Sequence, residues 1–290
     1  IVCRAAVRAG ARMHAPVRFV APLEAQGMVV GARLAHGEST REIRCRWLLL
    51  ATGAVPQALI AAGMALRQSP SGVALRGYLK NESMQGRLDK IEVVWHRAVA
   101  PGYGWIFPCR DGVFNIGVGV FDSRDTNLRT LFDAFTRAYP NARDLVAGGR
   151  WVGPLKGAPL RTSLEGARFS RPGLLVAGEA AGSTYAFTGE GIGKAMETGM
   201  LAAEAVLAGR GRDDAAVRAD YEARLAALKP RFALYERANS INRHPWLVDM
   251  VIWRGRRSPR LLRRMSGVLD ETSNPGQLFT AKGVYRLFTE

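Results

Sequence analysis

Between Gly173 and Gly209 the chain reads GLLVAGEAAGSTYAFTGEGIGKAMETGMLAAEAVLAG, and few folds can accommodate that order. Leu174–Ala177 is a short apolar run bounded by Gly173 and Gly178, the pattern of a buried strand. Glu179 stands at its carboxyl end, followed by the small residues Ala180, Ala181 and Gly182. A polar loop leads to Thr188-Gly189-Glu190-Gly191-Ile192-Gly193. After it Ala195, Met196, Gly199, Ala202, Ala203 and Val206 recur at helical spacing and are mostly small. Such a helix can lie close to a sheet or to a ligand.

Strand, acid, small-residue loop, Gly-rich turn and helix have a joint physical use. Glycines let backbone N–H groups approach a ligand. A helix start has unpaired donors and a partial positive charge, which attract phosphate or a developing anion. An acid at the carboxyl end of a strand can accept hydrogen bonds from sugar-like hydroxyls. The arrangement suits a nucleotide cofactor with a polyol chain. The plainer reading is a tight strand-to-helix turn with no ligand, but three glycines within Gly189–Gly193 are more than a turn requires.

Composition sets the outer limits. A chain of 290 residues can bury a real core and hold two domains. No apolar run reaches the roughly 18 residues of a spanning helix, and no signal peptide is visible. The net charge of +16 fits either a solvated Arg-rich surface, an anionic membrane surface, or a phosphorylated substrate or cofactor. No recognition motif accompanies the charge, which argues against nucleic acid. Cys3, Cys45 and Cys109 lack metal-ligand spacing, and an odd, scattered set indicates free thiols in a reducing compartment. The expected location is therefore cytoplasmic, with peripheral membrane contact as a candidate. The four histidines are scattered, and none is assigned to catalysis or to a metal.

In chain order, Ile1–Gly10 reads as the back half of a helix, with Gly10 as its stop. Arg12–Val20 is an expected strand, and Met28–Arg33 with Glu42–Arg46 an expected hairpin around Ala35–Ser39. Trp47–Leu50 is an expected buried strand running into Ala51-Thr52-Gly53. Asp125–Tyr139 carries an amphipathic stripe of Leu128, Leu131, Phe132, Phe135 and Tyr139, ended by Pro140. Trp151–Arg161 is expected to be a strand and a crossover. After Gly209 the pattern is helical and Arg-rich, with Tyr221, Leu225, Leu228 and Phe232 on one face and Pro230 expected to kink or divide the helix. Pro245–Trp253 is strongly apolar and is followed by Arg254, Arg256, Arg257, Arg260, Arg263 and Arg264. That combination fits either a membrane interface or a helix packed on the body with a solvated basic end.

Lys90–Phe121 forms an expected antiparallel meander: Lys90–Val99, Tyr103–Pro108 and Val113–Phe121, turned at Pro101-Gly102 and Arg110-Asp111-Gly112. Side chains alternate along a strand, so Tyr103, Trp105 and Phe107 share one face. Phe114, Ile116, Val118 and Val120 share a face of the last strand, while Asn115, Gly117 and Gly119 share the other. Glycines inside a strand often mark close approach by another group. An aromatic row beside an emptied face could bound a slot for a long apolar substrate; otherwise the aromatics are ordinary core.

Two motifs carry a family resemblance. Gly178-Glu179-Ala180-Ala181-Gly182 with Phe187-Thr188-Gly189-Glu190-Gly191 resembles the second FAD motif, G-D-A-A-G then P-x-x-G-x-G, of the flavoproteins that include geranylgeranyl reductases and aromatic hydroxylases. Here Glu replaces the usual Asp and Phe the usual Pro. Pro101–Pro108, PGYGWIFP, resembles the P-x-x-Y-x-W-x-F-P signature of the geranylgeranyl reductases, with Pro101 two residues before Tyr103 instead of three. Ala51-Thr52-Gly53 and Asn115–Gly119 are also similar to that family.

The resemblance implies an α/β fold. A Rossmann-like FAD-binding domain is split between residues 1–67 and 161–209, an antiparallel-sheet substrate domain spans 68–160, and a helical extension covers 210–290. It implies FAD held by Thr52, Gly53, Ala54, Gly178, Glu179, Ala180, Ala181, Gly182, Gly189, Glu190, Gly191 and Ile192. It implies an isoprenoid or other apolar substrate beside Tyr103, Trp105, Phe107, Gly117 and Gly119. Glu179 would contact the ribityl chain and the helix start would face the isoalloxazine. The family's G-x-G-x-x-G fingerprint is expected upstream of Ile1, in an amino-terminal βαβ unit missing from this chain. The implied reaction is reduction of a C=C bond by hydride from reduced flavin, reloaded by NAD(P)H or another reductant; no residue is singled out as the proton donor. A flavoprotein monooxygenase acting on an apolar or aromatic substrate, and a non-catalytic lipid-binding or inactive flavoprotein module, share these motifs and stand as alternatives.

Overall fold

The structure, a computed structural model, describes residues 1–121, 126–240, 244–255, 257–269 and 271. Asp125, the start of the expected amphipathic helix, and Arg256 of the basic run lie outside them.

The chain opens with α1 (Val2–Arg8) and an antiparallel sheet of β1 (Arg18–Ala25), β2 (Met28–His36) and β3 (Ser39–Arg44). The expected strand at Arg12 begins only at Arg18, two residues after Pro16, which has no N–H to give a ladder. Next come β4 (Leu48–Leu50), α2 (Gln57–Ala61) and β5 (Gly72–Lys80). The meander follows as β6 (Glu92–Val94), β7 (Tyr103–Pro108) and β8 (Val113–Val120). The first of these strands is shorter than expected. After Val94 the chain turns into a 3₁₀ helix, Arg97–Val99, in which His96 Nδ1 accepts the Ala98 N–H.

The helix α3 (Leu128–Ala138) is capped by Asn127, and Pro140 opens α4 (Pro140–Ala147). The segments β9 (Arg150–Trp151) and β10 (Lys156–Leu160) both pair with β5. The expected crossover thus first completes the large sheet and returns only after Leu160. The chain ends with β11 (Ser170–Arg171), β12 (Leu174–Val176), α5 (Ile192–Ala208), α6 (Asp214–Asn239), α7 (Pro245–Gly255) and α8 (Pro259–Leu269). Pro230 does not divide α6. Phe232 and Tyr235 beyond it are buried against Tyr185, and that burial outweighs one lost helical bond.

The large sheet runs β10-β5-β8-β7-β6. Its lower face, with Leu75, Leu79, Ile106, Phe114, Ile116 and Val118, packs under Leu131, Phe132 and Phe135 of α3. The alternation expected along β8 is therefore observed: the apolar set points into this core. Register pairs Tyr103 with Gly119, Trp105 with Gly117 and Phe107 with Asn115, so the aromatic row and the glycines share the upper face.

The third sheet, β11-β12-β4, is small but decides the site. The strands β12 and β4 run parallel, pairing Leu174 with Leu48, Leu175 with Leu49 and Val176 with Leu50. One face packs on Leu59, Met64, Ala180 and Ala181. On the other, Leu175 and Ala177 pack on Ala202 and Ala205 of α5 and on Val217, Tyr221 and Leu225 of α6. Expected as buried, β4 is only partly so: Leu49 is 40% exposed, because β4 stands at the edge of the sheet.

Candidate cofactor and substrate site

Parallel pairing brings two distant motifs to one edge. Ala177 N–H donates to Leu50 O at 3.0 Å, so Thr52-Gly53-Ala54 and Gly178-Glu179 leave their strands side by side. Ligands of α/β sheets bind outside the carboxyl ends of parallel strands. Gly53 and Gly178 have φ of 75° and 64°, a conformation open to glycine and strained for other residues. A Cβ on Gly178 would just touch Ala195 on α5, and Thr198 Oγ1 accepts the Gly178 N–H at 2.9 Å. Ala180 and Ala181 are fully buried in the core beneath the edge, while Thr52 is exposed at it.

Glu179 is half buried. Its Oε1 accepts from Thr184 Oγ1 at 3.1 Å and from the Arg161 N–H at 3.5 Å. Burial raises its pKa above the ordinary carboxylate value, against the hydrogen bonds from Thr184 and Arg161 and the Arg161 charge, which lower it. Arg161, which the sequence did not single out, is completely buried. It donates to the carbonyls of Ala54 (3.1 Å), Gly166 (3.2 Å) and Arg67 (2.7 Å). The guanidinium bolts the Thr52–Ala54 corner to the chain returning from the large sheet. Burial and the nearby Arg67 pull its pKa down, and Glu179 offsets part of this. No periodicity marks such a residue; one Arg inside the apolar run Gly157–Leu160 to Thr162 was its sole trace.

The Gly-rich turn is held from several sides. Tyr185 N–H donates to Glu190 O and Gly189 N–H to Tyr185 O. Glu190 Oε1 accepts the Gly193 N–H at 2.6 Å in the first turn of α5. A Cβ on Gly191 would meet Thr184 Oγ1 at 2.6 Å, and a Cβ on Gly189 would run into the Tyr103 hydroxyl. Lys194 is buried in that first turn, donating to Glu197 at 2.8 Å and Glu271 at 3.0 Å. Burial alone would lower its pKa, but the two carboxylates outweigh it and hold the ammonium charged. The outward side of α5 presents Ile192, Met196 and Met200 to solvent.

The aromatic row lies directly against this turn. Tyr103 donates to Thr188 O at 2.8 Å, and burial keeps its phenol well above the usual pKa. Trp105 Nε1 donates to Asn115 Oδ1 at 3.0 Å, which lays the indole across the glycines: a Cβ on Gly117 would strike the Trp105 ring. Gly117 and Gly119 thus make room first for Trp105. Tyr103, Trp105 and Phe107 follow one another at 6.1 and 6.0 Å between ring centroids. Trp95, Phe121 and Phe187 complete the cluster; Trp95 stacks on Phe187 at 5.5 Å and lies 5.5 Å from Tyr103. Trp95 and Phe121 were legible only as strand aromatics and Phe187 only as a member of the Gly-rich motif, because the contacts joining them run between distant segments.

Residues 76–149, from β5 through α4 and including the whole aromatic row, match the sequence model of the geranylgeranyl reductase catalytic domain. The chain belongs to the geranylgeranyl reductase family. Menaquinone reductase of Mycobacterium tuberculosis is 33% identical over 204 residues, 67% of this chain and 48% of that protein. Digeranylgeranylglycerophospholipid reductase of Thermoplasma volcanium is 28% identical over 214 residues, 69% of this chain and 50% of that protein. The chain spans about half the length of these curated relatives. Among solved structures, a geranylgeranyl bacteriochlorophyll reductase-like protein of Thermoplasma acidophilum superposes with a TM-score of 0.65 at 21% identity, covering 84% of this chain and 66% of that one. The flavin-dependent brominase Bmp2 superposes with a TM-score of 0.68 at 17% identity, covering 98% and 71%. These two likenesses concern the fold: mixed α/β with antiparallel sheets. Among the described residues no helix is long and apolar enough to cross a membrane, and no His, Cys, Asp and Glu cluster could hold a metal ion.

Proposed function

We propose that the whole protein is an FAD-dependent oxidoreductase that reduces C=C bonds of an apolar, isoprenoid-type substrate. The observation that carries this reading is the Tyr103–Thr188 hydrogen bond, which joins an aromatic wall to the turn that starts α5. In this reading β4, β12 and α5 belong to a Rossmann-like FAD domain divided between residues 1–67 and 161–209. Residues 68–160 form the substrate domain, and 210–290 the helical extension.

The residues present fit a flavin dinucleotide. Glycines in the left-handed region let the backbone approach it at Gly53 and Gly178. Glu179, raised in pKa by burial, gains from hydroxyl donors, so it would accept from the polyol chain. The first turn of α5, at Gly191–Ile192, offers donors and a positive dipole end toward the electron-rich edge of the ring. When bound and reduced, FAD would supply the hydride, and water or a side chain the proton; NAD(P)H or another reductant would reload it.

The protein's own part is orientation and exclusion of water. Trp105, Phe107 and Trp95 offer apolar surface to a prenyl chain, at about 25 cal/mol per Å² buried. The Tyr103 O–H is committed to Thr188 and its pKa is raised, so Tyr103 positions the turn and does not supply the proton. The test is spectroscopic. In the whole protein, reduced flavin held without oxygen should be reoxidised by a prenyl lipid. A reduced spectrum that persists until oxygen is admitted would favour the monooxygenase reading.

A further inference from the structure

Two tryptophans of α7 face solvent: Trp246 is 65% and Trp253 54% exposed. They are seven residues apart, two helical turns, and so lie on one side of the helix. Beyond them α8 is two-faced. Leu261 and Val268 are buried, while Arg260, Arg263 and Arg264 are exposed. Ser258 fixes the corner between the helices: its Oγ accepts the Leu261 N–H at 3.2 Å. Across that corner the Arg257 guanidinium lies over the Trp253 ring, 4.2 Å from its centroid. Asp249 is the one acid among the described residues of α7 and α8, and it is neutralised by Arg97 at 2.8 Å. That ion pair seats α7 on the 3₁₀ turn Arg97–Val99, between Trp95 and the start of the aromatic row at Tyr103.

We propose that α7 and α8 form a docking face for an anionic lipid bilayer, set beside the turn that leads into the aromatic row. Exposed indoles beside guanidinium groups match a lipid headgroup layer: the rings enter the interface, and the arginines meet phosphate. The charge complementarity selects a negatively charged leaflet. The placement beside Arg97–Val99 gives the face its purpose, because an apolar substrate could pass from the bilayer to Tyr103, Trp105 and Phe107 without crossing water. That purpose rests on the reductase reading; the docking itself rests on the exposed residues alone.

The experiment is sedimentation of the whole protein with phosphatidylcholine vesicles made with and without phosphatidylglycerol, at low and high salt. Binding should require phosphatidylglycerol and weaken as salt rises. Each Arg near an anionic surface is worth about fivefold in partitioning, so Arg257→Glu, Arg260→Glu and Arg263→Glu together should lower it at least about a hundredfold. Trp246→Ala with Trp253→Ala should lower it several-fold. Met196→Ser with Met200→Ser, on the exposed side of α5, should leave it unchanged. Circular dichroism and the flavin spectrum of each variant report the fold separately. Absence of binding, equal binding to uncharged vesicles, or loss only in the α5 variant would overturn the proposal. If docking fails while detergent-dispersed prenyl lipid still reoxidises the flavin, the docking face is wrong and the reductase reading stands. Docking without reoxidation by any prenyl lipid sinks that reading alone.

Discussion

The hydroxyl of Tyr103 on β7 donates a 2.8 Å hydrogen bond to the backbone carbonyl of Thr188, across 85 residues of sequence. The bond unites the aromatic signature with the Gly-rich turn, and Gly189 can follow only because no Cβ stands in the path of that hydroxyl. The aromatic row and the turn before α5 are therefore tied directly to each other.

Tyr103→Phe removes the donor and leaves the Thr188 carbonyl without it in a partly buried place. The loss should be about 1–3 kcal/mol of stability, with a weaker flavin affinity because the turn is freed. Denaturant unfolding and flavin titration of the whole protein check both. Unchanged flavin affinity would show that the turn is held by Tyr185 and Glu190 alone.

Gly191→Val should weaken flavin binding strongly, since its side chain would displace Thr184, which bonds Glu179. The matched control is Gly199→Val, where an added Cβ meets nothing within 4 Å. Gly209, at the other end of α5, is unsuitable as a control: a Cβ there would run into Val217 of α6. Equal flavin affinity of the Gly191 and Gly199 variants would remove the cofactor from this turn.

Burial raises the pKa of Glu179 in the folded protein. The folded state then holds its proton to higher pH than the unfolded state, so this group's contribution is present below the unfolded pKa and is lost as pH rises through the folded one. Stability of the flavin-free protein should fall with pH across the weakly acidic range, and Glu179→Gln should flatten that slope. Flavin affinity should run the other way, rising with pH as the carboxylate becomes an acceptor for hydroxyls. Thermal melts and flavin titrations over the same pH series measure the two opposed slopes.

Trp105→Ala should weaken prenyl-lipid binding by about 3 kcal/mol, within the range for large-to-small aromatic changes. Flavin affinity should hold, because the bond that anchors the turn is made by the Tyr103 hydroxyl, while the Trp105 indole N–H is committed to Asn115. Equilibrium binding of a prenyl lipid to the oxidised protein tests this. A loss confined to flavin affinity would mean that the indole is part of the cofactor site.

Local pattern made much of this legible. Alternation predicted both faces of β7 and β8, and the glycine-bounded run predicted β12, because burial on one face or both imprints itself on neighbouring residues. What escaped was non-local. Arg161 is explained by three carbonyls, of Ala54, Arg67 and Gly166, that only the fold assembles. Trp95 and Phe187 stack although 92 residues separate them, and nothing in either segment announces the other. Pro230 lies inside α6 without dividing it, because the lost helical bond is outweighed by burial of Phe232 and Tyr235.

The central claim, reduction of a C=C bond beside the aromatic row, is tested most directly by the mass of the product. The whole protein, with its flavin reduced beforehand and oxygen excluded, is given one equivalent of a prenyl lipid, and the lipid is recovered. The account predicts a gain of two hydrogens at one double bond, in step with flavin reoxidation and lost in Trp105→Ala at limiting substrate. Recovery of unchanged lipid without oxygen, and of lipid carrying an added oxygen atom once oxygen is admitted, would contradict it.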